Sequence, residues 1–159
     1  MRAGPNPTFK QVANGLPGLE VRLPLLFDAM VSGGRLGLGK FVELTATAPA
    51  KIYNLHPRKG SIAVGADADI AIWDPQREVT LSDAMMHDLA GYTPFSGRKL
   101  RGWPVTVLSR GRVIVDDGKR SVEAGSGRFL ARSGGEAAKP TGRLVSDMDP
   151  EQNFGARLL

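Results

Sequence analysis

Taken alone, the sequence predicts an α+β domain, with helices first and short strands after them. Three observations carry this. Apolar residues recur at helical spacing between Leu19 and Ala48. From Gly60 the period changes to two. Turn-forming residues then separate β-rich runs as far as Gly118.

Each element follows from local chemistry. Residues 1–18 have loop composition, with Pro5, Pro7 and Pro17 set among Gly and Asn. Leu19, Leu23, Leu26, Phe27 and Met30 share one helical face, which predicts a helix through Ser32. Pro24 suits its first turn, where a missing N–H costs little, and Gly33-Gly34 ends it. A second helix is expected over Lys40–Thr47. Pro49 is expected to open a short third helix reaching Asn54. Asn54, Pro57 and Gly60 then break the helical pattern.

Asp69 to Trp73 alternates, with Ile70 and Ile72 on one face and Ala71 and Trp73 on the other. That predicts a strand buried in part on both faces. Glu78 to Leu81 is a short candidate strand. Val105–Leu108 and Arg112–Val115 flank Ser109-Arg110-Gly111 and predict a hairpin. Asp116-Asp117-Gly118 makes the next turn. Residues 133–143 have almost no large apolar side chain, so burial cannot offset the entropy of ordering them.

Composition narrows the function. The chain has 159 residues, 42% of them hydrophobic, enough for a core. No apolar run approaches a membrane span, and the first ten residues lack the apolar stretch of an export signal, so a cytoplasmic protein with no membrane partner is expected. Cysteine is absent, which removes disulfides and thiolate chemistry. The net charge of +5 is spread along the chain. Its densest group, Arg98, Lys99 and Arg101, lacks the interleaved aromatics of a single-strand binder, and no nucleic-acid partner is expected.

Three stretches then occur in a telling order: NGLPGLE at Asn14–Glu20, KGSIAVGADADIAIWD at Lys59–Asp74, and YTPFSGRKLRGWPVTVLSRGRVIV at residues 92–115. Together they resemble the C-terminal third of the dihydropyrimidinase and hydantoinase family, the cyclic-amide hydrolases of the amidohydrolase superfamily. The resemblance covers about residues 10–132. It implies an α/β fold: the terminal βα elements of a metal-dependent-hydrolase TIM barrel, followed by strands of the small β-sandwich domain, with the barrel incomplete in this chain. By it, residues 1–58 are the end of the barrel. Residues 59–132 are β-sandwich strands with a barrel-packing loop, and 133–159 are a flexible tail. It also implies a parent that opens cyclic ureides to N-carbamoyl amino acids and assembles as a homo-oligomer, expected to be a tetramer.

The family's chemistry needs two metal ions, expected to be two zinc ions per subunit, to hold a hydroxide and polarise the carbonyl. Their ligands in the family are a His-x-His pair, a carboxylated Lys, two further His and an Asp. This chain has two histidines, His56 and His87, and neither has ligand spacing. No catalytic residue, no metal ligand and no cofactor is therefore assigned to it. The resemblance carries over one contact. Asn14 is expected to hydrogen-bond the substrate ring through its backbone, with Gly15 letting that backbone approach closely. An ordinary Asn-Gly turn would show the same dipeptide.

Other residues invite roles with plainer readings beside them. Glu20 could be a general base, but an acid entering a helix also favours the dipole. Asp67 and Asp69 alternate onto one face, where entry to a turn is the plainer role. Gly37 and Gly39 lack the remainder of a phosphate loop. Two alternatives stay open at this point: a non-catalytic dihydropyrimidinase-related assembly protein, and an unrelated small basic binding domain.

Overall fold

The computed structural model describes residues 8, 10 and 15–135. The first helical run is α1 (Arg22–Phe27), continued by a π-helical segment (Asp28–Ser32). The second is α2 (Leu38–Val42), a π-helical segment (Glu43–Thr47) and α3 (Ala48–Ile52). Four antiparallel strands follow: β1 (Ile70–Thr80), β2 (Lys99–Ser109), β3 (Arg112–Asp116) and β4 (Lys119–Arg120), in that spatial order.

The expected break before Pro49 does not occur. The run from Leu38 to Ile52 is continuous, with helical dihedrals at Thr47 and Ala48. A π turn is the reason. The Ala48 N–H bonds the Glu43 carbonyl, five residues back. Proline has no N–H to continue the ladder and its ring crowds the carbonyl four residues back, so a widened turn ahead of it lets the run pass without a break. The first run also widens at its end, where the Gly33 N–H bonds the Asp28 carbonyl at 2.8 Å. Gly34 then leaves the helix at φ 68°.

The two expected strands at Asp69–Trp73 and Glu78–Leu81 are one strand. Its ladder with β2 shifts register between Asp74 and Glu78. There the Asp74 carboxylate accepts the Gln76 and Arg77 N–H groups at 2.9 and 3.2 Å, spanning the irregularity at Pro75. Burial along the first half of β1 is partial, as expected, with Ile70 and Trp73 half-buried. Trp73 packs inward, while Ile72 is 51% exposed. Both hairpin turns fall where the sequence put them. Arg110 and Gly111 take φ 48° and 79°, and Asp117 and Gly118 take 44° and 77°. Two successive positive φ values match the right-handed twist of the flanking strands.

Helices and sheet meet through aromatic rings. Phe27 stacks on Trp73 at 4.6 Å between centroids, and Phe41 meets Phe27 edge-on at 5.3 Å. Gly102 of β2 lies directly beneath Phe27, where an added Cβ would stand 2.2 Å from a ring carbon. The π-helical segment adds polar stitches to the same strand. Asp28 accepts the Arg101 N–H at 3.0 Å, and the Ser32 hydroxyl donates to the Arg101 carbonyl at 2.6 Å. A second small core joins Val21, Leu81 and Leu100, with Leu25, Val79, Met86, Phe95 and Trp103 around it. The described start of the C-terminal segment rests on the end of α3: Asn54 donates to the Ser133 hydroxyl at 2.9 Å, and Arg132 lies over the Tyr53 ring.

Candidate functional site

The segment Gly15–Glu20 and the loop between β1 and β2 come together above the Val21 core. Asn14 lies outside the described residues. Gly15 is exposed with φ 90°, a conformation that glycine takes without strain, and a Cβ there would meet no heavy atom within 4 Å. Gly18 packs against the loop, where an added Cβ would touch the Phe95 ring at 3.4 Å.

The loop is held at its base. The Leu81 N–H bonds the Arg98 carbonyl at 2.9 Å, and the Gly97 N–H bonds the Leu81 carbonyl at 2.8 Å. Inside it, Thr93 is buried, and its N–H bonds the Asp83 carboxylate at 2.9 Å. The Thr93 hydroxyl accepts from the Phe95 N–H at 3.3 Å. The loop is thus closed at its base and braced within.

Glu20 joins its segment to this loop. One carboxylate oxygen accepts the His87 backbone N–H at 2.9 Å, and the other lies 2.6 Å from His87 Nδ1. The plain reading of Glu20 as an acid serving the helix start is therefore not its main contact. Helix α1 has no side-chain cap at Val21, and both Glu20 oxygens are turned to the loop. An open cleft of about 770 Å³ adjoins the pair, with Glu20, His87, Arg77, Val79, Trp103 and Arg120 among its lining residues.

Asp67 and Asp69 do share one face, and that face holds Lys59. The ammonium bonds Asp67 at 2.9 Å and also Asp69, while Arg58 reaches Asp67 at 2.9 Å. The other Asp69 oxygen accepts the Arg110 N–H at 2.8 Å, and the Gly111 N–H bonds the Ala68 carbonyl at 3.0 Å. The Lys59–Asp74 stretch thereby pins the β2–β3 hairpin to the chain leaving α3. Its groups titrate accordingly. Burial alone would lower the Lys59 ammonium, but the two carboxylates outweigh it and raise the value. The Lys59 hydrogen bond, opposed by partial desolvation, holds Asp67 below its ordinary range. Burial pushes Asp69 up, and Lys59 with the Arg110 N–H bring it down further than that.

His56 is exposed, and His87 is committed to Glu20. Among the described residues no group of three or more His, Cys, Asp or Glu could hold a metal ion. The described residues therefore do not fit a two-metal centre. Gly37 flanks the five-residue α2 and accepts from Lys40 and Phe41, an ordinary helix start. Two partnerships escaped the sequence reading. Lys59 meets Asp67 and Asp69 only because the loop between them closes, which no sequence spacing announces. Nothing in the sequence links Glu20 to His87, 67 residues away.

Comparison with known proteins agrees with this architecture. The D-hydantoinase of Ralstonia pickettii is 47% identical over 124 residues, 78% of this chain and 27% of that protein. The dihydropyrimidinase of Rattus norvegicus is 41% identical over 124 residues, 78% of this chain and 24% of that one. Among solved structures, a D-hydantoinase from Bacillus sp. AR9 superposes with a TM-score of 0.76 at 43% identity, covering 80% of this chain and 28% of that one. The dihydropyrimidinase from Brevibacillus agri NCHU1002 gives 0.76 at 39% identity, covering 83% and 28%. The chain thus spans about a quarter of the length of the relatives it matches. Its fold is the α/β arrangement that the motifs imply, the closing elements of a hydrolase barrel followed by strands of the small β domain, and an unrelated binding domain is set aside. Residues 18–114 match the model of the amidohydrolase family, and to that family this chain belongs.

Proposed function

We propose that this chain is the C-terminal portion of a hydrolase that opens cyclic ureides, hydantoins and dihydropyrimidines, to N-carbamoyl amino acids. Water adds across a ring amide. The hydroxyl goes to the carbonyl carbon, the C–N bond breaks, and the ring nitrogen takes the proton. Metal chemistry, with two zinc ions per subunit, belongs to residues outside this chain. The proposal includes a cytoplasmic, homotetrameric parent.

The contribution of this segment is orientation. A flat ureide ring presents N–H and C=O groups side by side along one edge, and the backbone of one residue offers the matching acceptor and donor. Asn14 and Gly15 are the proposed contact. The observation that carries the reading is the open turn at Gly15, φ 90°, raised on a segment that meets the 82–97 loop through Gly18 and is hydrogen-bonded to it through Glu20. The 47% identity to a D-hydantoinase runs in its favour.

The test is a chimera in which residues 10–132 replace the matching segment of the Ralstonia pickettii D-hydantoinase. It should open hydantoin. Gly15→Val should lower kcat/KM on the order of a hundredfold, because displacing a binding edge by ~1 Å costs that much. A metal-loaded, folded chimera without turnover of hydantoin or dihydrouracil would sink the proposal. So would a Gly15→Val chimera with unchanged kcat/KM.

A further inference from the structure

We infer that Glu20 and His87 form a clasp that sets the position of the Gly15 turn, making both positioning residues for the cyclic ureide. The inference rests on the proposed substrate role of that turn and adds what holds the turn in place.

The geometry is specific. Gly15 and Glu20 belong to one short segment whose downstream end is fixed by the fully buried Val21. Between them, Leu16 and Leu19 are 77% and 83% exposed, so apolar packing does little to hold the segment there. Two contacts stand out among the described residues. One is the approach of Gly18 to the Phe95 ring. The other is the pair of hydrogen bonds that join a single carboxylate to the backbone N–H, which donates to it, and the ring of His87. Two bonds to one residue fix orientation as well as distance, which a single hydrogen bond does not.

The partner side is equally constrained. The 82–97 loop is closed at its base by Leu81 and braced inside by Thr93 and Asp83. His87 is therefore a point on a stiff body. The pair is itself part-exposed, 46% and 37%, and a charge contact in that setting adds little to stability. Its effect lies in geometry, and geometry is what a ring-orienting turn needs.

The experiment has two arms. In the 159-residue chain, hydrogen exchange is measured on wild type, Glu20→Ala and Glu20→Gln. Glu20→Ala should speed exchange at the His87 amide about tenfold or more and leave Leu100 protected. Glu20→Gln keeps an acceptor for that amide and should stay close to wild type. In the chimera carrying residues 10–132, Glu20→Ala should raise KM for hydantoin about tenfold with metal content and melting temperature unchanged, and Glu20→Gln should restore most of it. A purely structural role would lower the active fraction and leave KM alone.

The outcomes separate. If Gly15→Val impairs the chimera and Glu20→Ala leaves KM unchanged, the clasp is wrong and the substrate turn stands. If Gly15→Val has no effect, the substrate turn itself falls. If the chimera is inactive as built, the exchange arm decides, and unchanged exchange at His87 in Glu20→Ala overturns the clasp.

Discussion

Gly102→Ala should be among the most damaging single-methyl additions in this chain. Two costs add. The residue holds φ 95°, where an L side chain is strained by about 1–2 kcal/mol. The new Cβ would also stand 2.2 and 2.3 Å from two carbons of the Phe27 ring. Overpacking of a fitted core costs about 1–3 kcal/mol. Phe27 cannot yield freely, because it is buried, stacked on Trp73 and set edge-on to Phe41. The sum is on the order of 2–5 kcal/mol. Gly111→Ala is the control. Its φ is 79°, and its added Cβ meets nothing within 4 Å, so it carries the backbone cost alone. Urea unfolding of the 159-residue chain, followed by tryptophan fluorescence, gives both values. Gly102→Ala should lose about 1–3 kcal/mol more than Gly111→Ala. Equal losses would refute the argument that the Phe27 stack is rigid against β2.

Further outcomes follow from the charges, the missing ligands and the surface. Asp67 and Asp69 titrate below their ordinary value of 3.8, so their contribution is present above that pH and is lost as pH falls through the lowered values. Lys59 titrates above 10.5, so its contribution is present below that pH and is lost as pH rises through the raised value. Lys59→Met should therefore flatten both limbs of a stability–pH curve, and an acid limb identical to wild type would contradict the assignment. Purified chain supplied with zinc should bind no stoichiometric metal and hydrolyse neither hydantoin nor dihydrouracil, as metal analysis and a ring-opening assay would register. Leu16, Val64, Leu89 and Phe129 are almost wholly exposed, so sizing chromatography should show concentration-dependent association; a sharp monomer at all concentrations would count against this.

The sequence made some elements legible and hid others for definable reasons. Both hairpin turns were readable because Arg110-Gly111 and Asp117-Gly118 demand positive φ, a local property. The helix over Leu38–Ile52 was split in two because Pro49 signals a break, and no local pattern announces a π turn that absorbs it. The same turn inserts a residue and shifts the helical phase, which carries buried Ala50 to face Gly60. A fixed period of 3.6 cannot anticipate that. Asp67 and Asp69 were seen as a pair from alternation alone, but their partner Lys59 needed the intervening loop to close. Glu20 and His87 meet only through the folded core between them.

The stitches from Asp28 and Ser32 to Arg101 have a consequence for self-association. Arg101 pairs with Glu78 of β1 on one side; on the other side β3 covers β2 only from Thr106 onward, and among the described residues no strand covers Arg101 there. A bare stretch of backbone there would be an invitation to a foreign strand, the first step of edge-to-edge aggregation. Instead a helix side chain occupies the amide and another occupies the carbonyl. Asp28 and Ser32, four apart on one helical face, act as a counterfeit strand, one that satisfies the backbone of Arg101 and cannot be extended. Whatever else associates through the exposed leucines of this chain, that stretch of sheet is closed to templated growth.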